Sequence, residues 1–245
     1  MSEESEEYIV SKDARIWTVV RGNGVPVFLC NGGPGSADYL GPVAYMIDDL
    51  ARIIRFEQRG CGRSEPKPPY NLETCLLDME NIRKHYQIQK WIVGGHSWGA
   101  NLALAYALAH RQNVLGLIYL AGNGIQHDVE WRSAYHKGRA EKGEKLPVDT
   151  PPGNEEVNRQ GNASWYNYIK KPELLRRISE LRIPSLFIHG RFDIRPGWPA
   201  EQIANLMPDA SFKNIDAEHY LWLSQPDDLK RSLRRFIMDL KPDSR

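Results

Sequence analysis

The chain has 245 residues, a length that fits one α/β domain with an insertion and a sizeable core. Its formal net charge is +1 at pH 7, and its basic and acidic residues are interspersed. The charge pattern therefore gives no indication of a nucleic-acid or anionic-membrane partner.

Three features of the sequence bear on the cellular compartment. The three cysteines, Cys30, Cys61 and Cys75, cannot form a disulfide framework and fit a reducing environment. The acidic segment 1–7 lacks the basic start and apolar core of a signal peptide. No apolar run approaches the ~18 residues that a membrane span needs. We therefore expect a cytoplasmic protein.

The predicted elements, taken in chain order, alternate between strand and helix. An unstructured tail is expected over 1–7. Short apolar runs between turn residues predict strands over 8–10, 14–20, 25–30, 51–56, 91–93, 114–120, 185–188 and 211–215. Helical spacing of apolar residues predicts helices over 72–86, 97–110, 199–206 and 227–240. This alternation predicts an α/β fold with a doubly wound, mainly parallel sheet.

The alternation breaks between the sixth and seventh strands. Segment 122–182 contains predicted helices over 128–142 and 172–181, separated by a proline-containing loop and an aromatic cluster at 165–168. The segment is too small and too polar to hold its own core. We therefore predict a core formed by 1–121 and 183–245, with 122–182 inserted as a short helical cap.

Several turns should meet at one edge of the predicted sheet. Asn31, Glu57, Ser97 and Gly122 each come just after a predicted strand. Ligands of open parallel sheets bind beyond the carboxyl ends of the strands. Four polar or glycine-rich turns at that edge therefore indicate a functional site.

The most informative of these turns is Gly95-His-Ser-Trp-Gly99. It joins an apolar strand to an alanine- and leucine-rich helix, and small residues two positions on either side of Ser97 relieve crowding in a sharp turn. Such a turn exposes the serine hydroxyl near the start of the following helix, where backbone N–H groups favour negative charge. Ser97 is therefore the candidate nucleophile.

A serine nucleophile needs a general base and an acid that orients the base. In this strand–turn–helix architecture they follow in the order serine, acid, histidine. Only His219 comes after the last plausible acid turn, and Asp193 lies just past the predicted strand 185–188. The competing acids are Asp128, Asp149, Asp209 and Asp216.

The oxyanion formed during acyl transfer needs two N–H donors. One should be the backbone N–H of Trp98, the residue after the nucleophile. The other should come from the turn 31–35, where Pro34 has no N–H, so Gly33 is favoured over Gly32.

Other reactive residues near these turns are expected to have structural roles. The side chain of His96 should point away from Ser97, because adjacent residues at such a turn diverge. Cys61 lacks a suitably placed histidine or asparagine and should be a packed thiol. The sequence also lacks paired cysteine or histidine spacing, so we expect no metal and no other cofactor.

Three motifs of the sequence are informative together: Asn31-Gly-Gly-Pro-Gly35, Glu57-Gln-Arg-Gly-Cys-Gly-Arg-Ser64, and Ser97-Trp-Gly followed by Asn101-Leu-Ala-Leu-Ala-Tyr106. They resemble the motifs of the proline iminopeptidase (prolyl aminopeptidase) branch of the α/β-hydrolases. The resemblance covers about 20–120 and 183–240 and implies the α/β-hydrolase fold with a serine–histidine–acid triad.

The chain departs from the usual motifs of that branch at three positions. Asn31, Glu57 and His96 stand where the branch usually has His, Asp and Gly. The cap also looks short for the branch, whose caps supply acidic residues that hold the free amino group of the substrate. These departures leave the triad intact and bear on the substrate.

The resemblance implies an aminopeptidase acting on short peptides or amino-acid amides, with proline favoured at the amino end. A carboxylate under the cap should then bind the ammonium group. The candidates are Glu130, Glu141, Glu144, Glu155 and Glu156. Glu130 is preferred, with Trp131 and Tyr135 lining an apolar pocket.

Two other functions remain open at this point. A carboxylesterase or lactonase acting on small esters would need no buried carboxylate. A ligand-binding or signalling module on the same fold would bind its ligand with little or no turnover. The expected partner is a small molecule or short peptide, with no nucleic acid or membrane, and the sequence leaves the oligomeric state open.

Overall fold

A single eight-stranded sheet forms the centre of the molecule. The computed structural model describes residues 3–144, 146–147 and 152–240. The strands are β1 (Ser5–Ser11), β2 (Ala14–Arg21), β3 (Val25–Cys30), β4 (Ala51–Phe56), β5 (Trp91–His96), β6 (Val114–Leu120), β7 (Ser185–Gly190) and β8 (Ala210–Ile215). Their order is β1-β2-β4-β3-β5-β6-β7-β8. Among the described residues, only β1–β2 and β2–β4 pair antiparallel, so the predicted doubly wound, mainly parallel sheet is confirmed.

Helices occupy the connections between the strands. They are α1 (Gly41–Tyr45), α2 (Leu72–His85), α3 (Trp98–Ala109), α4 (Val129–Lys142), α5 (Glu155–Tyr168), α6 (Leu174–Ser179), α7 (Trp198–Leu206), α8 (Leu221–Ser224) and α9 (Pro226–Asp239). Three of them, α4 to α6, lie between β6 and β7. The division into core and cap over the predicted boundaries stays a prediction.

The core forms on both faces of the sheet because successive strand residues point to opposite sides. In β3, Phe28 belongs to one buried cluster, whereas Val27 and Leu29 belong to the other. Helix α3 packs on the first face and is buried almost all round, as its alanine-rich sequence allows. This packing fixes the start of α3, and with it the turn after β5, against the sheet.

Two predictions about local structure are wrong. Residues 1–7 were expected to form a tail, but β1 begins at Ser5, and Glu6 accepts a hydrogen bond from Trp17 Nε1 at 2.9 Å. Helix α5 was not predicted, because its buried positions Val157, Gly161 and Trp165 include a glycine in an otherwise polar segment. The four-residue spacing of these buried positions is the sequence signal that could have revealed this helix.

Helix α5 is held against the turn that follows β3. The amide N–H of Asn154 donates to Gly35 O at 2.8 Å, and Asn158 Nδ2 donates to Pro34 O at 2.8 Å. A Cβ at Gly161 would lie only 2.6 Å from Pro34 Cγ. The glycine therefore allows the helix to pack closely on this turn. Within the described part of the chain, no helix is long and apolar enough to cross a membrane.

Candidate active site

Ser97 lies at the sharp turn between β5 and α3. Its backbone has φ 58° and ψ −125°, a conformation that is strained for a residue with a side chain. A Cβ at Gly95 would lie 2.2 Å from Gly99 O, and a Cβ at Gly99 would lie 2.1 Å from Cys30 O. The turn therefore requires glycine at both positions, which explains their spacing around Ser97.

Asp193 and His219 come together from the loops after β7 and β8. Asp193 Oδ2 accepts a hydrogen bond from His219 Nδ1 at 2.6 Å, and the two side chains are 0% and 4% exposed. The other oxygen, Oδ1, accepts from the backbone N–H of Arg195 at 2.9 Å. The carboxylate thus fixes the histidine ring with the proton on Nδ1, so that Nε2 can accept a proton from a hydroxyl.

Burial opposes ionisation of Asp193, but its positively charged neighbours outweigh this effect. The charge and hydrogen bond of His219 are the main contributors, and His189 and Arg195 add to them, so the pKa of Asp193 lies below its ordinary value. The carboxylate therefore stays ionised over the pH range in which a histidine base would work.

The other aspartates considered for the role of the acid either lie elsewhere in the fold or form different contacts. Asp128 accepts a backbone hydrogen bond at the start of α4, and Asp216 forms an exposed ion pair. Asp209 lies before β8, at the opposite end of that strand from His219. Asp149 falls outside the described residues.

The turn after β3 contains the candidate oxyanion donors. The N–H of Gly32 already donates to the Tyr39 hydroxyl at 2.7 Å. Gly33 has φ +120°, a conformation that favours glycine. Trp98 is the first residue of α3, where backbone N–H groups have no partner within the helix. Gly33 and Trp98 therefore remain the candidates for this role.

Two other side chains near the site, His96 and Cys61, are hydrogen bonded or unreactive. Both ring nitrogens of His96 are hydrogen bonded, to the Tyr39 hydroxyl and to His219 O. Burial raises the pKa of the Cys61 thiol to about 12, so it is protonated at neutral pH. These environments agree with the structural roles predicted for both residues.

Glu57, at the end of β4, holds two neighbouring loops together. It is 1% exposed, accepts the backbone N–H of Asp38 at 3.1 Å, and pairs with Arg63 Nη2 at 2.7 Å. Its place in the second motif is therefore explained by loop geometry.

The residues proposed for substrate binding differ in their surroundings. Glu130 lies exposed in the first turn of α4, whereas Trp131 is buried and stacks on Tyr135, with ring centroids 5.5 Å apart. The Arg195 guanidinium lies 5.5 Å from the Tyr135 ring. Tyr135 is thus linked to the acid loop, and Glu130 has the environment of a solvated helix end.

Two further carboxylates, those of Glu218 and Glu144, line a cavity of about 360 Å³ together with Asp193 and His219. Glu144 lies just beyond the end of α4. Its Oε1 forms an ion pair of 2.6 Å with Arg195 Nη1. The sequence offered Glu144 only as one of five acidic candidates, because its position depends on how α4 packs over the core.

Among the described residues, no group of three or more His, Cys, Asp or Glu side chains could hold a metal ion. The arrangement at the carboxyl edge of the sheet consists of a strained serine, a hydrogen-bonded histidine–aspartate pair and a glycine turn. These groups can perform acyl transfer with protein side chains and backbone amides.

Comparison with known proteins shows which fold and which sequences this chain is similar to. Residues 25–142 match the family model described as alpha/beta hydrolase fold. A proline iminopeptidase of Neisseria gonorrhoeae is 40% identical over 114 residues, covering 44% of this chain and 37% of that protein. The proline iminopeptidase of Arabidopsis thaliana is 37% identical over 99 residues, covering 39% of this chain and 26% of that protein. The chain thus spans less than two fifths of the length of these relatives.

Solved structures match nearly the whole chain at low identity. The proline iminopeptidase of Mycobacterium smegmatis has a TM-score of 0.75 and 18% identity, covering 96% of this chain and 98% of that one. A thermophilic esterase from Thermogutta terrifontis has a TM-score of 0.78 and 20% identity, covering 97% and 100%.

The sheet order, the turn at Ser97 and these matches define the chain as a protein of the α/β-hydrolase fold. Within that fold, less than half of its sequence is similar to proline iminopeptidases, at 37% and 40% identity in these two relatives.

Proposed function

We propose that the protein is a serine hydrolase that works through an acyl-enzyme. Ser97 is the nucleophile, His219 is the general base, and Asp193 orients the histidine and stabilises its protonated form. The backbone N–H groups of Gly33 and Trp98 bind the oxyanion. The observation that carries this proposal is the buried 2.6 Å hydrogen bond between Asp193 and His219, at the sheet edge where Ser97 adopts its strained conformation.

The reaction proceeds in two halves. Ser97 Oγ attacks the acyl carbon while His219 Nε2 takes the hydroxyl proton, and the carbonyl oxygen becomes an oxyanion. His219 then gives that proton to the leaving amine or alcohol as its bond to the acyl carbon breaks. In the second half, water loses a proton to His219 and attacks the acyl carbon, and the proton returns to Ser97 as the acid is released.

The substrate that we propose is a short peptide or amino-acid amide with a free amino end, proline favoured. Glu144 supports this choice better than Glu130 does, because its carboxylate lines the cavity beside His219. An ammonium group placed there would lie near the Glu144 carboxylate and the His219–Asp193 pair. The curated relatives named as proline iminopeptidases point the same way.

A second candidate is an esterase or lactonase acting on small neutral esters. The ion pair between Glu144 and Arg195 favours this candidate, because the negative charge of the carboxylate is already balanced by the Arg195 guanidinium. An ammonium substrate would have to compete with Arg195 for Glu144, whereas a neutral ester would not.

Hydrolysis of prolyl-p-nitroanilide and of p-nitrophenyl acetate, with Ser97→Ala as background, separates these functions. Release from the prolyl amide that depends on Ser97 and is lost when the amine is acylated would support the aminopeptidase. Release from the ester alone would support the esterase. Release from neither, combined with ligand-induced thermal stabilisation, would replace both with a binding module.

A further inference from the structure

His96 occupies an unusual position between the two loops that carry the proposed chemistry. It is the last residue of β5, directly before Ser97, and it is fully buried. Its Nδ1 lies 2.8 Å from the Tyr39 hydroxyl, and its Nε2 lies 2.9 Å from the carbonyl oxygen of His219. The ring therefore connects a hydroxyl on one loop to the backbone of the base on another.

The chemistry of the partners fixes the direction of each hydrogen bond. The N–H of Gly32 can only donate, so the Tyr39 oxygen accepts from it at 2.7 Å. The carbonyl of His219 can only accept, so His96 carries its proton on Nε2, and Nδ1 accepts from the Tyr39 hydroxyl. Burial, followed by the charge of His219, holds the pKa of His96 well below its ordinary value. The neutral ring that this arrangement needs is therefore the stable form.

Aromatic packing encloses the same network. The His96 ring lies edge-on to Trp222 at 4.9 Å and tilted against Tyr220 at 5.2 Å. Tyr39 stacks on Trp222 at 6.0 Å. Because Tyr220 and Trp222 follow His219 in the chain, this packing holds the loop after β8 against the turn after β3.

The two ends of the network are backbone groups of the proposed catalytic loops. One end is the N–H of Gly32, directly before the candidate oxyanion donor Gly33, and the other is the carbonyl of His219. Buried polar groups need hydrogen-bond partners, but those partners can belong to any part of the core. Here its two ends lie on the loops that contain the proposed oxyanion donor and the proposed base.

We propose that His96 and Tyr39 are positioning residues that hold the turn at Gly33 and the loop at His219 in register around Ser97. This inference rests on the proposed serine hydrolase function and assigns a role to a residue that differs from the usual motif. A displacement of about 1 Å in a catalytic group can lower the rate by about 10²-fold. Loosening either end should therefore lower kcat by a larger factor than it changes KM.

Two substitutions test the two ends separately. His96→Asn places an amide oxygen near the position of Nδ1, so it keeps an acceptor for Tyr39 and loses the donor to His219 O. Tyr39→Phe keeps the donor to His219 and removes the hydroxyl that joins His96 to Gly32. Tyr86→Phe is the matched control, because it deletes a hydroxyl bonded to Thr18 at 2.8 Å, on another part of the fold.

The measurements are kcat and KM for whichever chromogenic substrate is cleaved, the rate at which a fluorophosphonate labels Ser97, and the proton resonance of the His219–Asp193 hydrogen bond. We expect kcat and the labelling rate to fall about 10- to 100-fold in both variants, with KM changed less than about threefold. The low-field proton should shift or broaden in His96→Asn and stay in place in Tyr39→Phe. Tyr86→Phe should match the wild type in every catalytic measurement.

The outcomes separate this inference from the function on which it rests. If the wild type is not labelled faster than Ser97→Ala, the proposed function fails and the inference falls with it. If the wild type is labelled and both network variants keep its rate, the inference alone is overturned. If one variant does not fold, the other still decides, because each interrupts the same network at a different bond.

Discussion

Replacing Asp193 with asparagine should nearly abolish catalysis while leaving the fold intact. The asparagine oxygen can keep the hydrogen bond from the Arg195 N–H, now 2.9 Å from Oδ1. Its NH₂ group would then face His219 Nδ1, now 2.6 Å from Oδ2. An NH₂ group can only donate, so Nδ1 would have to accept and the ring proton would move to Nε2. His219 could no longer take the proton of Ser97.

The magnitude follows from the loss of the correct tautomer. A wrong histidine tautomer lowers kcat by about 10⁴-fold in serine hydrolases with this geometry, which corresponds to about 5.5 kcal/mol of transition-state stabilisation. The reverse orientation of the amide is disfavoured, because its NH₂ group would then face the Arg195 N–H. We therefore expect the full loss.

The assay is steady-state hydrolysis of the better chromogenic substrate, with fluorophosphonate labelling of Ser97 as a second readout. Asp216→Asn is the matched control, since Asp216 follows β8 and forms an ion pair that is largely exposed on both sides. That variant should stay within about twofold of the wild type. Retention of more than a tenth of the activity by Asp193→Asn, or an equal loss in Asp216→Asn, would refute the assignment of the acid.

Three further predictions follow from the structure. Glu144→Gln should raise KM for a prolyl amide about tenfold or more and leave KM for a neutral ester within about twofold, as measured by steady-state kinetics. Gly99→Ala should lower the free energy of unfolding by about 3 kcal/mol, because its Cβ would meet Cys30 O at 2.1 Å. In the control Gly41→Ala, the nearest contact of the new Cβ would be 3.4 Å, so its free energy of unfolding should stay within about 1 kcal/mol of the wild type. Urea titration measures both variants. Burial opposes ionisation of Glu80, but hydrogen bonds from neighbouring side chains outweigh it and lower the pKa of Glu80 to about 2. Glu80→Gln should therefore have a lower free energy of unfolding than the wild type above about pH 4.5. This difference should shrink as the pH falls toward 2.

Specific results would contradict each of these predictions. An equal rise in KM for both substrates would remove the role of Glu144 in binding an ammonium group. Equal stability of the two glycine variants would contradict the close approach at Gly99. A constant stability difference between the wild type and Glu80→Gln across pH 2–7 would show that the carboxylate of Glu80 has the same pKa in the folded and unfolded chains.

The turn at Ser97 could be predicted from sequence because its determinants are local. Gly95 and Gly99 are needed by backbone contacts within the turn and with β3, and their spacing is visible in the chain. Asp193 and His219 could be found because the order of the triad in this architecture limits the choices. The Asp193–His219 hydrogen bond supports those choices.

The two wrong predictions, and the choice among the acidic candidates for substrate binding, concern features set by distant packing. The strand at Ser5 depends on pairing with β2, which an acidic segment does not reveal. Helix α5 buries Gly161, a residue whose value is its lack of a side chain beside Pro34. The position of Glu144 follows from the packing of α4 against the core, so sequence alone offered no reason to prefer it over Glu130.

The attachment of α5 to the turn after β3 has a consequence for movements near the site. Asn154 and Asn158 hydrogen bond to Gly35 and Pro34, so α5 cannot lift away without pulling on the turn that contains Gly33. Helix α4 buries mainly Trp131 and is otherwise largely exposed. Helix α4 is attached instead to the loop after β7, through the ion pair of Glu144 with Arg195 and the close approach of Gly138 to Ile194 O. A movement of α5 would therefore disturb the proposed oxyanion donor, whereas a movement of α4 would disturb the loop of the proposed acid.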